Sequence, residues 1–403
     1  MSEPGTAVAS VTSHGPLDAP RTDRIDLAGA AGLEEVAGGA GPGLAAGFRA
    51  AALSASTRTA YQGDWARFQA WCAQTGVVSL PAEPAAVAEY VAQAASLVGE
   101  SGRFAYAPAT LARWVAAVNA AHRAVGRHAP GDNPGVQATL RGIRTTRRQP
   151  RRRAKPVALE QLRAVLASID RASWPAGVIG ARDSAMLLLG FAGALRRSEL
   201  AALTLADVEL ADGALTLRIR SSKADQEAEG HTVGYPRGTR PGTCAACAVL
   251  TWGAVLHADT TGGRVAVLRL LHDARVAGTA RSGRGGHGCT DPDQLRTWAE
   301  LLEADPGAPL LRPVTKAATI TARPVSGATV DEVLRRRLRG AGIDPAGYSA
   351  HSLRAGFITD ALVAGANHHE VMRQTRHASP ATVEVYARHY TPLEANAVTR
   401  IGL

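Results

Sequence analysis

The stretch HSLRAGFITDALVAGANHHEVMRQTRHASPATVEVYARHY, residues 351–390, carries histidines, arginines and two tyrosines on a background that otherwise reads as ordinary helix. His351 and Arg354 lie three apart and so share one helical face. His377 opens a short HASP turn, and Tyr386 follows nine residues later in ATVEVYARHY, again helical in pattern. Guanidinium and imidazole groups are fixed donors and a phenol is a nucleophile. Together they suit chemistry on a phosphodiester, where an oxyanion gains charge while a hydroxyl attacks phosphorus. Such a site needs further cations from elsewhere in the chain.

Working upstream, 327–340 reads as a basic helix, LLRPV (310–314) as a short strand and 291–305 as a polar segment. Residues 237–312 are irregular, with Arg/Gly-rich stretches around a helix over 248–259. Cys244-x-x-Cys247 with His287 and Cys289 has the residue types of a zinc site. The second pair is His-x-Cys and the loops are glycine-rich, so the pattern is weak and no metal is expected.

ALTLRIRSSKADQEAEGHTVGYP alternates with period two, which reads as strands around a polar turn, with Lys223 at the end of the first. A surface lysine is the ordinary explanation of that position. Helices are expected over 158–169 and 180–192, the second apolar enough to be buried. GALRRSELAALTLADVEL then places Arg196 at the top of another helix that begins near Ser198 and Glu199. An arginine directly after so apolar a run is either a salt-bridged structural residue or an anion ligand.

Between 141 and 156 lies RGIRTTRRQPRRRAKP, in which eight of sixteen residues are Arg or Lys. Its prolines make it extended at least at its C-terminal end. Arg141, Arg144, Arg147, Arg148, Arg151, Arg152, Arg153 and Lys155 are its candidate contacts to a phosphate backbone. Before it, Tyr61, Trp65, Phe68 and Trp71 form one helical stripe after a Ser/Thr cap at Ser54, and three more short helices follow before 145. These aromatics read as core, leaving Arg58, Arg67, Arg113, Arg123 and Arg127 as exposed candidates for DNA contact. Residues 1–45, rich in Ala, Gly, Pro and acidic groups, read as a disordered leader.

The 403 residues suffice for two cores, and few aromatics with abundant alanine point to a mainly helical chain with a small β-sheet, an α+β protein. A net charge of +10 calls for a polyanionic partner, most simply double-stranded DNA. Four cysteines in this length form no disulfide framework, and neither a signal peptide nor a membrane span is legible. A cytoplasmic protein is expected.

The ordered set Arg196, Lys223, His351, Arg354, His377 and Tyr386 resembles the catalytic set of phage-integrase-type tyrosine recombinases. GALRRSEL is similar to their first arginine box, SSKADQ to their β-hairpin lysine, HSLRAGF to their His-x-x-Arg box, and RHASPATVEVYARHY to the final histidine and nucleophilic tyrosine. The resemblance implies a helical core-binding (SAM-like) domain over 46–145, a basic linker over 146–157, a catalytic domain over 158–390 and a tail over 391–403. It implies site-specific cleavage and rejoining of DNA through a 3′-phosphotyrosyl intermediate, as in integration or excision of a mobile element.

In that scheme Arg196 and Arg354 hold the scissile phosphate, Tyr386 attacks it, Lys223 protonates the departing 5′-oxygen and His351 assists proton transfer at the nucleophile. His377 bonds the phosphate or packs the site, and Glu199 orients the first arginine. No cofactor and no catalytic metal are called for, because fixed guanidinium groups carry the charge and the covalent link conserves the bond energy. A homo-tetramer on two DNA sites, with accessory proteins as further partners, is the expected assembly. Type IB topoisomerases share this chemistry, and a non-catalytic DNA-binding regulator could share the fold. Tyr390, four residues beyond Tyr386, is the rival nucleophile by position, but the spacing from His377 favours Tyr386.

Overall fold

The computed structural model describes residues 54–100, 102–147, 154–220, 230–280 and 286–387. The chain divides into two compact units between Arg151 and Arg152. The leader expected over 1–45 and the tail over 391–403 lie outside the described residues.

The first unit is a small helical core of α1 (Ala55–Thr75), α2 (Pro84–Ser96), α3 (Pro108–Ala124) and α4 (Pro134–Thr146). The Ser54 hydroxyl accepts from the Thr57 N–H and starts α1. Gly76, in the left-handed region at φ 70°, ends it. Trp65 and Phe68 bury completely against Tyr90 and Trp114, with ring centroids 5.1 to 5.7 Å apart along the chain of contacts. Trp65 and Phe68 are core, as the stripe implies, with Trp71 half-buried against them, whereas Tyr61 is half-buried outside that cluster. Arg67 and Arg113 both reach the buried Asp64 carboxylate, and Arg123 pairs with Asp132. Three of the five arginines expected to be available for DNA therefore already have acidic partners.

In the second unit, α5 (Leu159–Ala167) is followed by α6 (Ala176–Ala192), whose residues from 177 to 191 are almost all buried. Next come α7 (Arg197–Ala202) and an antiparallel sheet of β1 (Val208–Ala211), β2 (Ala214–Ile219) and β3 (His231–Tyr235) in the order β1-β2-β3. The helix expected to begin near Ser198 and Glu199 starts at Arg197 and stops at Ala202, and the strand β1 follows from Val208. Asp212-Gly213 closes the β1–β2 hairpin with both residues at positive φ, 52° and 76°. An Asp-Gly pair is suited to that turn, because it tolerates positive φ at both central positions.

The kinked helix α8 (Ala245–Ala280) breaks at Gly263 and extends well beyond the expected 248–259. The polar segment at 291–305 is a helix, α9 (Pro292–Ala304), capped by the Asp291 side chain and burying Trp298 and Leu301. LLRPV is not a strand. Leu310 and Leu311 are buried, and Leu310 N–H donates to the Leu203 carbonyl at 2.8 Å as part of an isolated bridge between 204 and 309.

The unit ends with α10 (Gly327–Gly340), α11 (His351–Val363), α12 (His368–Thr375) and α13 (Pro380–Ala387). Ile358, Val371 and Val383 form a small core under the last three, with Tyr386 packed against it. No helix among the described residues is long and apolar enough to cross a membrane.

Candidate active site

Three chain turns converge in the second unit. The first is the tight turn from α6 into α7, where Ala194 has φ 46° and Arg196 caps α7. The second is the opening turn of α11, which carries His351 and Arg354. The third is the passage from α12 to α13, where Arg376 ends α12 at φ 57°.

Arg354 is 2% exposed, although it carries a full charge. Its Nη1 donates to the Ala194 carbonyl at 2.6 Å, and its Nη2 to the Thr375 carbonyl at 2.5 Å. The helix is thereby tied to both other turns. Nη2 also meets His377 Nε2 at 2.9 Å. Since a guanidinium only donates, Nε2 accepts, so Nδ1 carries the ring proton and donates to Thr375 Oγ1 at 2.8 Å. Burial first, then the Arg354 and Arg196 charges, push the His377 pKa down to about 4, in keeping with a neutral ring.

Arg196 donates from Nη1 to Glu199 Oε1 at 2.6 Å, while its backbone N–H donates to Oε2 at 2.8 Å. Glu199 is shared, since Arg376 Nη2 donates to the same Oε2 at 2.8 Å with both side chains buried. Burial would raise the Glu199 pKa. Arg376 and the bonds from Arg196 outweigh it and hold the carboxyl below its ordinary range. Glu199 thus orients the first arginine, and Arg376, which sequence reasoning passed over, completes the pair. Its only sequence signal is its place directly before His377.

Arg354 has no ion pair among the described residues; its partners are carbonyls and an imidazole. Its pKa falls to about 10 through burial and the nearby Arg196 and Arg376 charges, so it remains protonated at neutral pH. Three guanidiniums against one carboxylate leave a local excess of positive charge. Such an excess, partly removed from water, favours an anion.

The Tyr386 hydroxyl lies 3.0 Å from His351 Nε2. Partial burial, then the Arg354 and Arg196 charges, lower the His351 pKa, which favours the uncharged ring beside the phenol. The Tyr386 ring lies with its centroid 6.2 Å from those of both His351 and His377. Five of the six residues singled out in sequence, Arg196, His351, Arg354, His377 and Tyr386, therefore belong to one interacting group. Lys223, in 221–229, lies outside the described residues, as does Tyr390. His368 lies on the surface, where Nε2 is 2.9 Å from a Glu384 carboxylate oxygen.

The basic segment resolves into different parts. Arg141 and Arg144 are exposed on α4, so its first turns are helical, not extended. The Arg147 guanidinium stacks 3.7 Å from the centroid of the Phe104 ring, which commits it to the first unit's packing. Arg148, Arg151, Arg152 and Arg153 lie outside the described residues. Lys155 belongs to the second unit, where its N–H donates to the Gly347 carbonyl at 2.9 Å and its ammonium lies over the Tyr348 ring.

A mainly helical domain with a small antiparallel sheet thus holds a cluster of three arginines beside a phenol that faces an imidazole, an arrangement suited to binding an anion next to a hydroxyl group. The chain is 27% identical over 349 residues to an integrase/recombinase xerD homolog of Selenomonas ruminantium, covering 86% of this chain and 85% of that one. Among solved structures it is similar to XerH site-specific recombinase bound to a palindromic difH substrate (15% identity, 87% of this chain and 82% of that one, TM-score 0.49). It is also similar to a lambda integrase dimer bound to a core site (15% identity, 85% and 94%, TM-score 0.46). No family model matches the chain. Over most of its length the chain thus resembles an integrase/recombinase of the tyrosine recombinase family.

Proposed function

We propose that the protein cleaves and rejoins double-stranded DNA through a covalent bond between Tyr386 and a 3′-phosphate, and that it integrates or excises a mobile element as a homo-tetramer on two DNA sites. The observation that carries the reading is the Tyr386 hydroxyl, 3.0 Å from His351 Nε2, beside Arg354, a buried cation with no ion pair among the described residues.

Arg354 and Arg196 hold the non-bridging oxygens of the scissile phosphate and stabilise the charge that builds in the pentacoordinate transition state. His351 takes the phenolic proton as Tyr386 Oη attacks phosphorus. The P–O bond to the 5′-oxygen breaks, and Lys223 supplies the proton to that leaving group. A second 5′-hydroxyl then attacks the phosphotyrosine and releases the tyrosine. Bond energy is carried through the covalent link, so the cycle balances without nucleotide hydrolysis. His377 holds Arg354 in place through Nε2, while Glu199, itself held by Arg376, holds Arg196. The chain's positive charge and the arginines at 141–153 support DNA as the polyanion.

The test is protein attached to DNA on a denaturing gel, using nicked duplexes tiled from the DNA flanking the gene, without metal or nucleotide. Wild type and Tyr390→Phe should form an adduct, whereas Tyr386→Phe should form none while binding the same DNA within a few-fold. Loss of the adduct in Tyr390→Phe with retention in Tyr386→Phe would reverse the nucleophile. An adduct with resealing but no exchange between two duplexes would make the enzyme topoisomerase-like. DNA binding with no adduct on any fragment would favour a non-catalytic regulator.

A further inference from the structure

The four residues that looked too irregular in sequence to form a metal site meet in space. Cys244 Sγ lies 4.0 Å from Cys289 Sγ, His287 Nδ1 lies 3.4 Å from Cys247 Sγ and 3.8 Å from Cys289 Sγ, and all four donor atoms fall within 4.8 Å of one another. A tetrahedral zinc with Zn–S of about 2.3 Å and Zn–N of about 2.0–2.1 Å has donor–donor edges of roughly 3.5–3.8 Å. The observed spacings bracket that figure. We propose that Cys244, Cys247, His287 and Cys289 bind one structural zinc ion as a closed Cys3His site.

The chemistry of the donor set supports zinc. Three thiols and an imidazole suit this borderline-soft ion, and four protein ligands leave no open position, which makes the site structural. The thiols are all buried, at 0%, 8% and 1% exposure for Cys244, Cys247 and Cys289, and the fourth cysteine of the chain, Cys72, belongs to the other unit. The Gly238 N–H points at Cys244 Sγ from 3.4 Å, the kind of supporting donor that stabilises a metal-bound thiolate. A Cys244–Cys289 disulfide would need the sulfurs about 2 Å apart. It would also leave Cys247 and His287 facing each other without a purpose.

The placement gives the ion work to do. Cys244 and Cys247 sit at the start of α8, whereas His287 and Cys289 sit on the short turn that leads into α9, so the ion closes the long excursion of chain between them. Cys289 packs under the β1–β2 turn, where a Cβ on Gly213 would stand 3.5 Å from its sulfur. The chain leaving β3 passes through the non-strand segment 236–243 into Cys244. The ion therefore anchors the sheet whose β2–β3 connection contains Lys223. The inference is independent of the proposed reaction, because none of the four ligands belongs to the arginine pocket.

The test uses the full-length chain purified with reductant and without chelator. Elemental analysis should find one zinc per chain, released in step with three thiols on mercurial titration. Cobalt(II) in its place should give the visible d–d bands and thiolate charge-transfer bands of a tetrahedral, sulfur-rich site. Cys244→Ser and Cys289→Ser should lose the metal, whereas Cys72→Ser should keep it. If the serine variants fail to fold, the cobalt spectrum of the wild type decides. Wild type with no stoichiometric zinc and no tetrahedral cobalt spectrum would overturn the site, as would undiminished zinc in both serine variants.

Discussion

Arg354 does two jobs with one guanidinium: it ties three turns together through the Ala194 and Thr375 carbonyls and it supplies positive charge to the pocket. Replacing it, or Arg196, by Ala should slow DNA cleavage by several orders of magnitude, since removing a charged donor from such a site costs about 2–4 kcal/mol or more. Single-turnover cleavage of a nicked duplex measures it. His377 gives a separate readout in pH. Folded, it resists protonation down to about pH 4; unfolded, it takes up a proton near its ordinary value of 6.5. Between those values the unfolded chain binds more protons, so this group's contribution to stability is full above about pH 6.5 and declines as pH falls towards 4. Thermal midpoints of wild type and His377→Gln across that window should show a shallower decline in the variant. Parallel curves would mean that the ring titrates normally.

At the level of elements, α11 is held against the segment around Val157 by the absence of a side chain at Gly356. A Cβ on Gly356 would stand 1.9 Å from the Val157 carbonyl oxygen and 2.8 Å from its carbon, and Val157 N–H already donates to the Ser352 carbonyl at 3.0 Å. Backbone cannot yield as a flexible side chain can. Gly356→Ala should therefore cost about 3 kcal/mol or more in urea unfolding and displace the turn carrying His351 and Arg354. Wild-type stability in that variant would show that the two backbones do not touch. The same scale shows what sequence reading passed over. The Asp291-Pro292 start of α9, with Leu295, Trp298 and Leu301 following, was a legible helix signal hidden among polar neighbours. Asp212-Gly213 was an equally legible hairpin between two runs of strand-forming residues. LLRPV was ambiguous from the outset, because a short buried run has no periodicity to separate strand from loop.

For the whole molecule, the charge of +10 is unevenly committed. Arg67, Arg113 and Arg123 neutralise acidic groups, and Arg147 is stacked on Phe104. Neutralising Arg148, Arg151, Arg152 and Arg153 together should weaken binding to all DNA sequences alike. It should also flatten the logarithmic salt dependence by about 0.9 for each phosphate that the variant no longer neutralises. An unchanged slope in a filter-binding or anisotropy titration would remove the segment from the DNA interface. Arg147→Ala should instead lower the stability of the first unit and leave the slope nearly as it was.

Part of the candidate site was legible locally: His351 and Arg354 share a helical face because they are three residues apart, and the apolar run before Arg196 announces its own burial. The aromatic core of the first unit was legible for the same reason, since a helical stripe needs only its own spacing. Partnerships across the fold were not. That Glu199 serves Arg376 as well as Arg196, that Arg354 reaches the Ala194 and Thr375 carbonyls, and that Cys244 and Cys247 meet His287 and Cys289 all depend on residues tens to more than a hundred positions apart. Periodicity and motif spacing report only what one segment does to itself. Which buried charge faces which, and whether two weak half-motifs become one site, is decided when the segments pack.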